Sequence, residues 1–210
     1  MSDDLAAWIA PVRTAVLVID MQVDFAAPDG ALAAHVDMTV VAPALEAAGQ
    51  LVAAARQAGV PVVFIGLVTT EAGDSTAWNE RLRRRGGNPD IDAQLCRAGT
   101  RGASFYGPQP LPGEAVIHKT RYSGFFKTGL EHALDRLGVD TLVVAGLTTE
   151  CCIDNTVQDA FHRDYHVFIA TDACAAYELD IHEVSLKVME LNSALLTDTL
   201  AIARAWQVAA

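Results

Sequence analysis

Five short apolar runs, at residues 14–19, 60–68, 115–118, 141–145 and 166–170, constrain how this 210-residue chain can fold. A sixth, at 194–196, is weaker. None alternates apolar with polar residues as a half-exposed strand would, so each reads as a strand buried on both faces. Helical periodicity fills the intervals. Over 40–58 the residues Val41, Leu45, Ala48, Leu51, Val52 and Ala55 form one stripe, and helices follow at 126–137, 152–163, 180–191 and through Trp206. Strand alternating with helix predicts an α/β protein of three αβα layers, with a six-stranded, mostly parallel, Rossmann-like sheet. No repeat, linker or low-complexity tail divides the chain, so one domain over 1–210 is expected. The stretch 69–107 is irregular apart from a short helix near 78–84, and such long connections serve as lids or interfaces.

Composition narrows the partners. A net charge of −11, from 26 acidic and 15 basic residues, disfavours nucleic acid and anionic membrane. No apolar stretch approaches the length of a membrane span, and Asp3 and Asp4 stand where a signal peptide would be basic. A cytoplasmic protein is expected. Four cysteines, two of them adjacent, do not make a disulfide framework. The run Arg81-Leu82-Arg83-Arg84-Arg85 reads, in so acidic a chain, as a solvated face or subunit contact.

In parallel sheets ligands bind beyond the carboxyl ends of the strands. Three chemically useful residue types fall there. Asp20 ends the first run, Lys119 follows the third, and Cys151-Cys152 lie where the fourth strand, broken at Gly146, turns into a helix. A helix start offers unpaired N–H groups and a positive dipole, which favour a thiolate and an oxyanion. Each residue has a blander alternative: Asp20 as a cap, Lys119 as a rim lysine, the cysteines as buried structural thiols. Together, a carboxylate, an ammonium and a thiol suit covalent acyl transfer. A dithiol module built on Cys151-Cys152 is the competing class. A nucleotide-binding domain is disfavoured, since no Gly-x-Gly-x-x-Gly or phosphate-binding Gly-Lys-Ser/Thr motif occurs.

The order of these residues resembles the isochorismatase-like cysteine hydrolases, a superfamily with nicotinamidases and N-carbamoylsarcosine, ureidoacrylate and biuret amidohydrolases. The matching pieces are Val-Leu-Val-Ile-Asp-Met-Gln-Val-Asp-Phe from Val16, Lys-Thr-Arg-Tyr-Ser-Gly-Phe-Phe from Lys119 and Gly-Leu-Thr-Thr-Glu-Cys-Cys-Ile from Gly146. The segment 156–161 continues the last, and the pieces span about 14–200. The resemblance implies the isochorismatase-like hydrolase fold and an Asp20–Lys119–Cys152 triad, with Cys152 the nucleophile because it stands six residues after Gly146. It further implies an oxyanion hole from the backbone N–H groups of Thr148, Thr149 and Cys152, a cis peptide at Thr148–Thr149, and a homo-oligomer, dimer or tetramer.

The metal-binding Asp-x-His of the nicotinamidases is missing: the segment after the second strand reads Val-Thr-Thr-Glu-Ala-Gly-Asp from Val68, with no histidine between His35 and His118. No metal and no cofactor are therefore expected, and nicotinamidase chemistry is disfavoured. The expected substrate is a small amide, carbamoyl or ureido compound, cleaved through a thioester with release of ammonia. Arg121, Tyr122 and Phe125 are candidate pocket residues, with Gln22 and Phe25 beside them. Glu150 stands as a substrate contact or as a helix N-terminal anion, and Asn192 as a substrate-contacting amide or a helix C-cap.

Overall fold

A computed structural model describes residues 2–88 and 94–208. Six strands form one all-parallel sheet: β1 (Thr14–Ile19), β2 (Val62–Leu67), β3 (Ala115–Lys119), β4 (Thr141–Leu147), β5 (His166–Ala175) and β6 (Leu195–Thr197). Their order is β3-β2-β1-β4-β5-β6, so β1 and β4 lie side by side at the centre. Ile19 pairs with Gly146 in that register. The central strands are buried along their whole length, as apolar runs without alternation require.

Successive strand residues point to opposite faces, and each face has its own helices. Leu17, Ile19, Ile65, Leu142, Val144 and Ile169 pack on one side with Leu130, Leu134, Val157, Leu186 and Met189. Those five come from α5 (Leu130–Leu137), α6 (Asp154–Phe161) and α7 (Leu179–Asn192). Val16, Val18, Phe64, Val143, Ala145 and Phe168 face the other way, against Ala48, Leu51, Val52, Ala55, Ile202 and Trp206. These belong to α3 (Val41–Gln57) and α8 (Thr199–Val208). Among the described residues the remaining α-helices are α1 (Ser2–Trp8), α2 (Val23–Ala26) and α4 (Thr76–Arg84).

The structure corrects several sequence expectations. Met38–Gln57 is long and apolar enough to cross a membrane by those two criteria, contrary to the reading that no stretch comes close. Its apolarity is largely alanine, and its Ala48–Leu51–Val52–Ala55 stripe lies on the sheet. The helix anticipated at 126–137 begins at Leu130. The residues before it are held in turns by side-chain bonds: the Gly124 N–H donates to Thr156 Oγ1 and Thr128 Oγ1 donates to the Gly124 carbonyl. The fifth strand runs on to Ala175, five residues past its predicted end. Helix α1 was not anticipated. Part of the irregular stretch 69–107, residues 89–93, lies outside the described residues.

Candidate active site

The chain turns sharply as it leaves β1. Asp20 adopts a left-handed backbone (φ 51°), a conformation Asp tolerates better than most side chains, and the Gln22 N–H donates to the Asp20 carbonyl at 2.9 Å. The carboxylate is fully buried at the end of β2. Its Oδ1 accepts the Leu67 N–H at 2.8 Å. Lys119, the last residue of β3, sits beside Leu67 in the sheet register, and its Nζ comes 2.6 Å from Asp20 Oδ2. The same Nζ donates to Cys152 Sγ at 3.2 Å and to the Arg121 carbonyl at 3.2 Å. One buried ammonium therefore touches both the carboxylate and the thiol.

Cys152 arrives from β4 through a glycine. Gly146 has φ 141° and sits so close to β1 that a Cβ would meet the Ile19 carbonyl oxygen at 2.0 Å. Beyond it the peptide Leu147–Thr148 is cis, one bond earlier than the expected Thr148–Thr149. The next five residues, Thr149–Ile153, form a π-helical turn before α6. The Thr148 carbonyl accepts from Cys151 N–H at 3.1 Å and Ile153 N–H at 3.2 Å, stepping over Cys152. Thr156 pins the turn from below, its Oγ1 donating to the Cys152 carbonyl.

The thiol's acidity differs from the expectation of a helix-lowered value. The neighbouring Cys151 thiol, burial and the Asp20 charge together hold the Cys152 thiol well above its ordinary range, against the opposing pull of Lys119. Burial works against the Lys119 ammonium, yet the Asp20 carboxylate and the Cys152 sulfur outweigh it and raise its pKa. The resting site thus holds an Asp–Lys ion pair beside a protonated thiol, which needs a base before it can attack.

A cavity of about 350 Å³ opens on this cluster. Asp20, Phe25, Tyr122, Thr148, Glu150 and Cys152 line it. The other candidates lie elsewhere. Gln22 is buried and fully engaged: its Nε2 donates to the carbonyls of Leu67 (2.8 Å) and Ala103 (2.7 Å), and its Oε1 accepts the Leu67 N–H. It braces the end of β2. Phe125 packs in the core against Tyr165 and beneath Arg163. Arg121 donates to the Thr120 and Gly73 carbonyls and lies over the Trp78 ring, behind the cavity wall. Asn192 bonds the Val188 carbonyl within α7, in a groove with His166 near the amino ends of the strands. That end of the sheet is opposite the cluster, so Asn192 does not meet it.

Sequence reasoning missed part of the wall. Helix α4 brings Trp78, Arg81 and Leu82, spaced three and four residues apart, onto the cavity. Arg81 is exposed, as a solvated face requires, and also borders the cavity. Tyr177, from the segment after β5, also lines the cavity, with its hydroxyl donating to the Phe25 carbonyl at 2.8 Å. His182 of α7 meets Thr149 of the π-turn, Nδ1 to Oγ1 at 2.8 Å. Only the 3-4 spacing of Trp78, Arg81 and Leu82 was available beforehand, and the surrounding arginines masked it.

The isochorismatase domain family matches residues 14–200. This chain belongs to that family. It is similar to the ureidoacrylate amidohydrolase RutB of Methylobacterium radiotolerans, 33% identical over 91% of this chain and 78% of that protein. Among solved structures it is similar to a cysteine hydrolase from Pseudomonas syringae pv. phaseolicola 1448A, with a TM-score of 0.84, 28% identity and coverage of 97% of this chain and 96% of that one. It is also similar to N-carbamoylsarcosine amidase from Thermoplasma acidophilum, with a TM-score of 0.70, 25% identity and coverage of 89% and 96%. Six parallel strands covered by helices on both faces are the architecture of this isochorismatase-like fold. Membership makes the chain an isochorismatase-like hydrolase.

Proposed function

We propose that the protein is a cysteine amidohydrolase that cleaves a C–N bond of a small amide, carbamoyl or ureido compound through a Cys152 thioester. The observation that carries this reading is the single buried Lys119 ammonium in contact with both Asp20 and Cys152 at the floor of a small cavity. Asp20 takes the thiol proton, and the thiolate attacks the carbonyl carbon. Backbone donors of the π-turn receive the oxyanion; the Cys152 N–H, which the Thr148 carbonyl passes over, is assigned first, with Thr148 and Thr149 as its neighbours. As the C–N bond breaks, Asp20 returns the proton to the departing nitrogen, which leaves as ammonia. Water then attacks the thioester, again losing its proton to Asp20, and Cys152 recovers its thiol. Lys119 holds Asp20 in place and offsets charge at each stage.

No step in this scheme calls for a metal, and the segment after β2 lacks the Asp-x-His pattern. The names of the relatives, an ureidoacrylate amidohydrolase and an N-carbamoylsarcosine amidase, support a ureido or carbamoyl group in the substrate. We further propose that the protein is cytoplasmic and forms a homo-oligomer; the apolar stripe of exposed Val184, Val188 and Leu191 along α7 supports the association. Ammonia release from a panel of small ureas, carbamoyl amino acids, biuret and nicotinamide tests the assignment. Activity should disappear in Cys152→Ala and fall by about 10²–10⁴-fold in Asp20→Asn. A dithiol module would instead retain its chemistry in Asp20→Asn, and full turnover in either variant would refute the hydrolytic scheme.

A further inference from the structure

The cavity wall carries a cation that the scheme above does not use. Four side chains stack along one rim. Arg121 lies 5.3 Å from the Trp78 ring centre, Trp78 lies 5.2 Å from the Tyr122 ring centre, and Arg81 lies 6.0 Å from the same Tyr122 ring. The two ends of this stack differ. Arg121 spends its guanidinium on the Thr120 and Gly73 carbonyls. Arg83 and Arg84 pair with Glu80 on their own helix. Among the described residues the exposed Arg81 side chain has neither an ion pair nor a hydrogen bond, and its guanidinium lies over the Tyr122 face. Yet Arg81 lines the cavity that opens on Cys152.

The rest of the lining gives this cation its meaning. Leu32, Leu67, Leu82, Leu95 and Leu147 make the walls largely apolar. The other charges are Asp20, already paired with Lys119, and Glu150, whose Oε1 accepts the Thr148 hydroxyl at 2.7 Å. A guanidinium held against a ring, with its donors unused, is suited to receive a planar anion in two-point fashion. We propose that Arg81 is a specificity residue that receives a carboxylate on the substrate, so that the preferred substrate is an acid bearing its amide, carbamoyl or ureido group at the other end. This rests on the amidohydrolase reading for which end reacts.

A pair of alkylating reagents tests this without knowledge of the natural substrate. Iodoacetate and iodoacetamide deliver the same carbon to a thiol and differ by one negative charge. Their rates on Cys152, mapped by tandem mass spectrometry to separate it from Cys151, are compared in the full-length protein and in Arg81→Gln, Arg81→Lys and Arg83→Gln. The iodoacetate-to-iodoacetamide rate ratio should fall about tenfold in Arg81→Gln, the size of one charge-assisted contact. Arg81→Lys should keep part of the preference, and Arg83→Gln should match the parent protein. An unchanged ratio in Arg81→Gln overturns the assignment even if Cys152 labels well. Equal losses with both reagents also overturn it, because Arg81 would then only hold α4 in place. Failure of iodoacetate alone in the parent protein would overturn the assignment of Arg81, whereas failure of both reagents to label Cys152 would count first against Cys152 as nucleophile and take the assignment with it.

Discussion

Lys119 and Asp20 form an ion pair of 2.6 Å in which neither side chain exceeds 1% exposure. Such a pair is held together by mutual dependence: each charge is tolerable inside the protein only while the other is present. Lys119→Met should therefore destabilise the fold by about 3–5 kcal/mol, because it strands the Asp20 carboxylate. The double variant Asp20→Asn/Lys119→Met should be more stable than Lys119→Met alone. Urea denaturation of the four proteins in a double-mutant cycle measures this, and additive losses would contradict it. The pKa of Lys119 is raised in the fold, so its contribution is fully present below about pH 10.4 and is lost only as pH climbs through the higher folded value.

The same cluster predicts an unusual response of the thiol. An anion beside a thiol opposes its ionisation, and Asp20 is one of the causes that hold Cys152 protonated. Alkylation of Cys152 by iodoacetamide should be slow at neutral pH and rise steadily above the ordinary thiol value of about 8.5. Asp20→Asn removes the opposing anion and leaves Lys119, so the alkylation profile should move to lower pH. Turnover should nevertheless fall by about 10²–10⁴-fold, the share of a general acid–base. A profile that stays put, or moves to higher pH, would contradict this electrostatic account.

The Thr149–His182 contact ties α7 to the π-turn. Thr149 is fully buried, and Thr149→Val should cost about 1 kcal/mol of stability and lower kcat more than it raises KM. Burial lowers the pKa of His182, outweighing the opposite pull of Glu183 and Glu150. The sign follows from linkage: between the folded and unfolded values the unfolded chain binds more protons, so stability declines as pH falls below about 6.5. His182→Gln should show a shallower decline in thermal melts between neutral pH and pH 5. An identical slope in the two proteins would assign the acid sensitivity to other groups.

Legibility in the sequence followed the physics of each segment. Strand β1 could be bounded to the residue because an unbroken apolar run stops at a charge, and Asp20, Lys119 and Cys152 could be placed because parallel strands share one carboxyl edge. Gln22 looked like a pocket residue, yet its amide is consumed by Leu67 on the neighbouring strand and by Ala103, which adjoins it only after its loop folds across. Asn192 failed for a topological reason: it precedes β6, and residues before a parallel strand lie at the wrong end. Arg81 was hidden by its neighbours, since a basic run gives no hint which exposed member borders the cavity. The cis bond was placed one residue late, because residue identity alone does not choose between adjacent peptides at Thr148.

Two glycines separate local preference from tertiary demand. Gly49 lies within α3 with nothing within 4 Å of a built Cβ. Gly49→Ala should therefore stabilise the protein by about 0.4–1 kcal/mol, through helix propensity and a less flexible unfolded chain. At Gly146 the same change places a methyl group 2.0 Å from the Ile19 carbonyl oxygen, on a backbone at φ 141°. That neighbour is main chain and cannot rotate away, so β4 would have to part from β1. Asp20 follows Ile19 directly, and the turn to Cys152 begins beyond Gly146, so both halves of the site would shift together. Gly146→Ala should lose about 3 kcal/mol or more. Amide hydrolysis should fall alongside it even in the fraction that stays folded. Chemical denaturation and active-site titration with iodoacetamide measure the two effects, and a Gly146→Ala protein as stable as Gly49→Ala would mean that β1 and β4 do not approach as closely as their register requires.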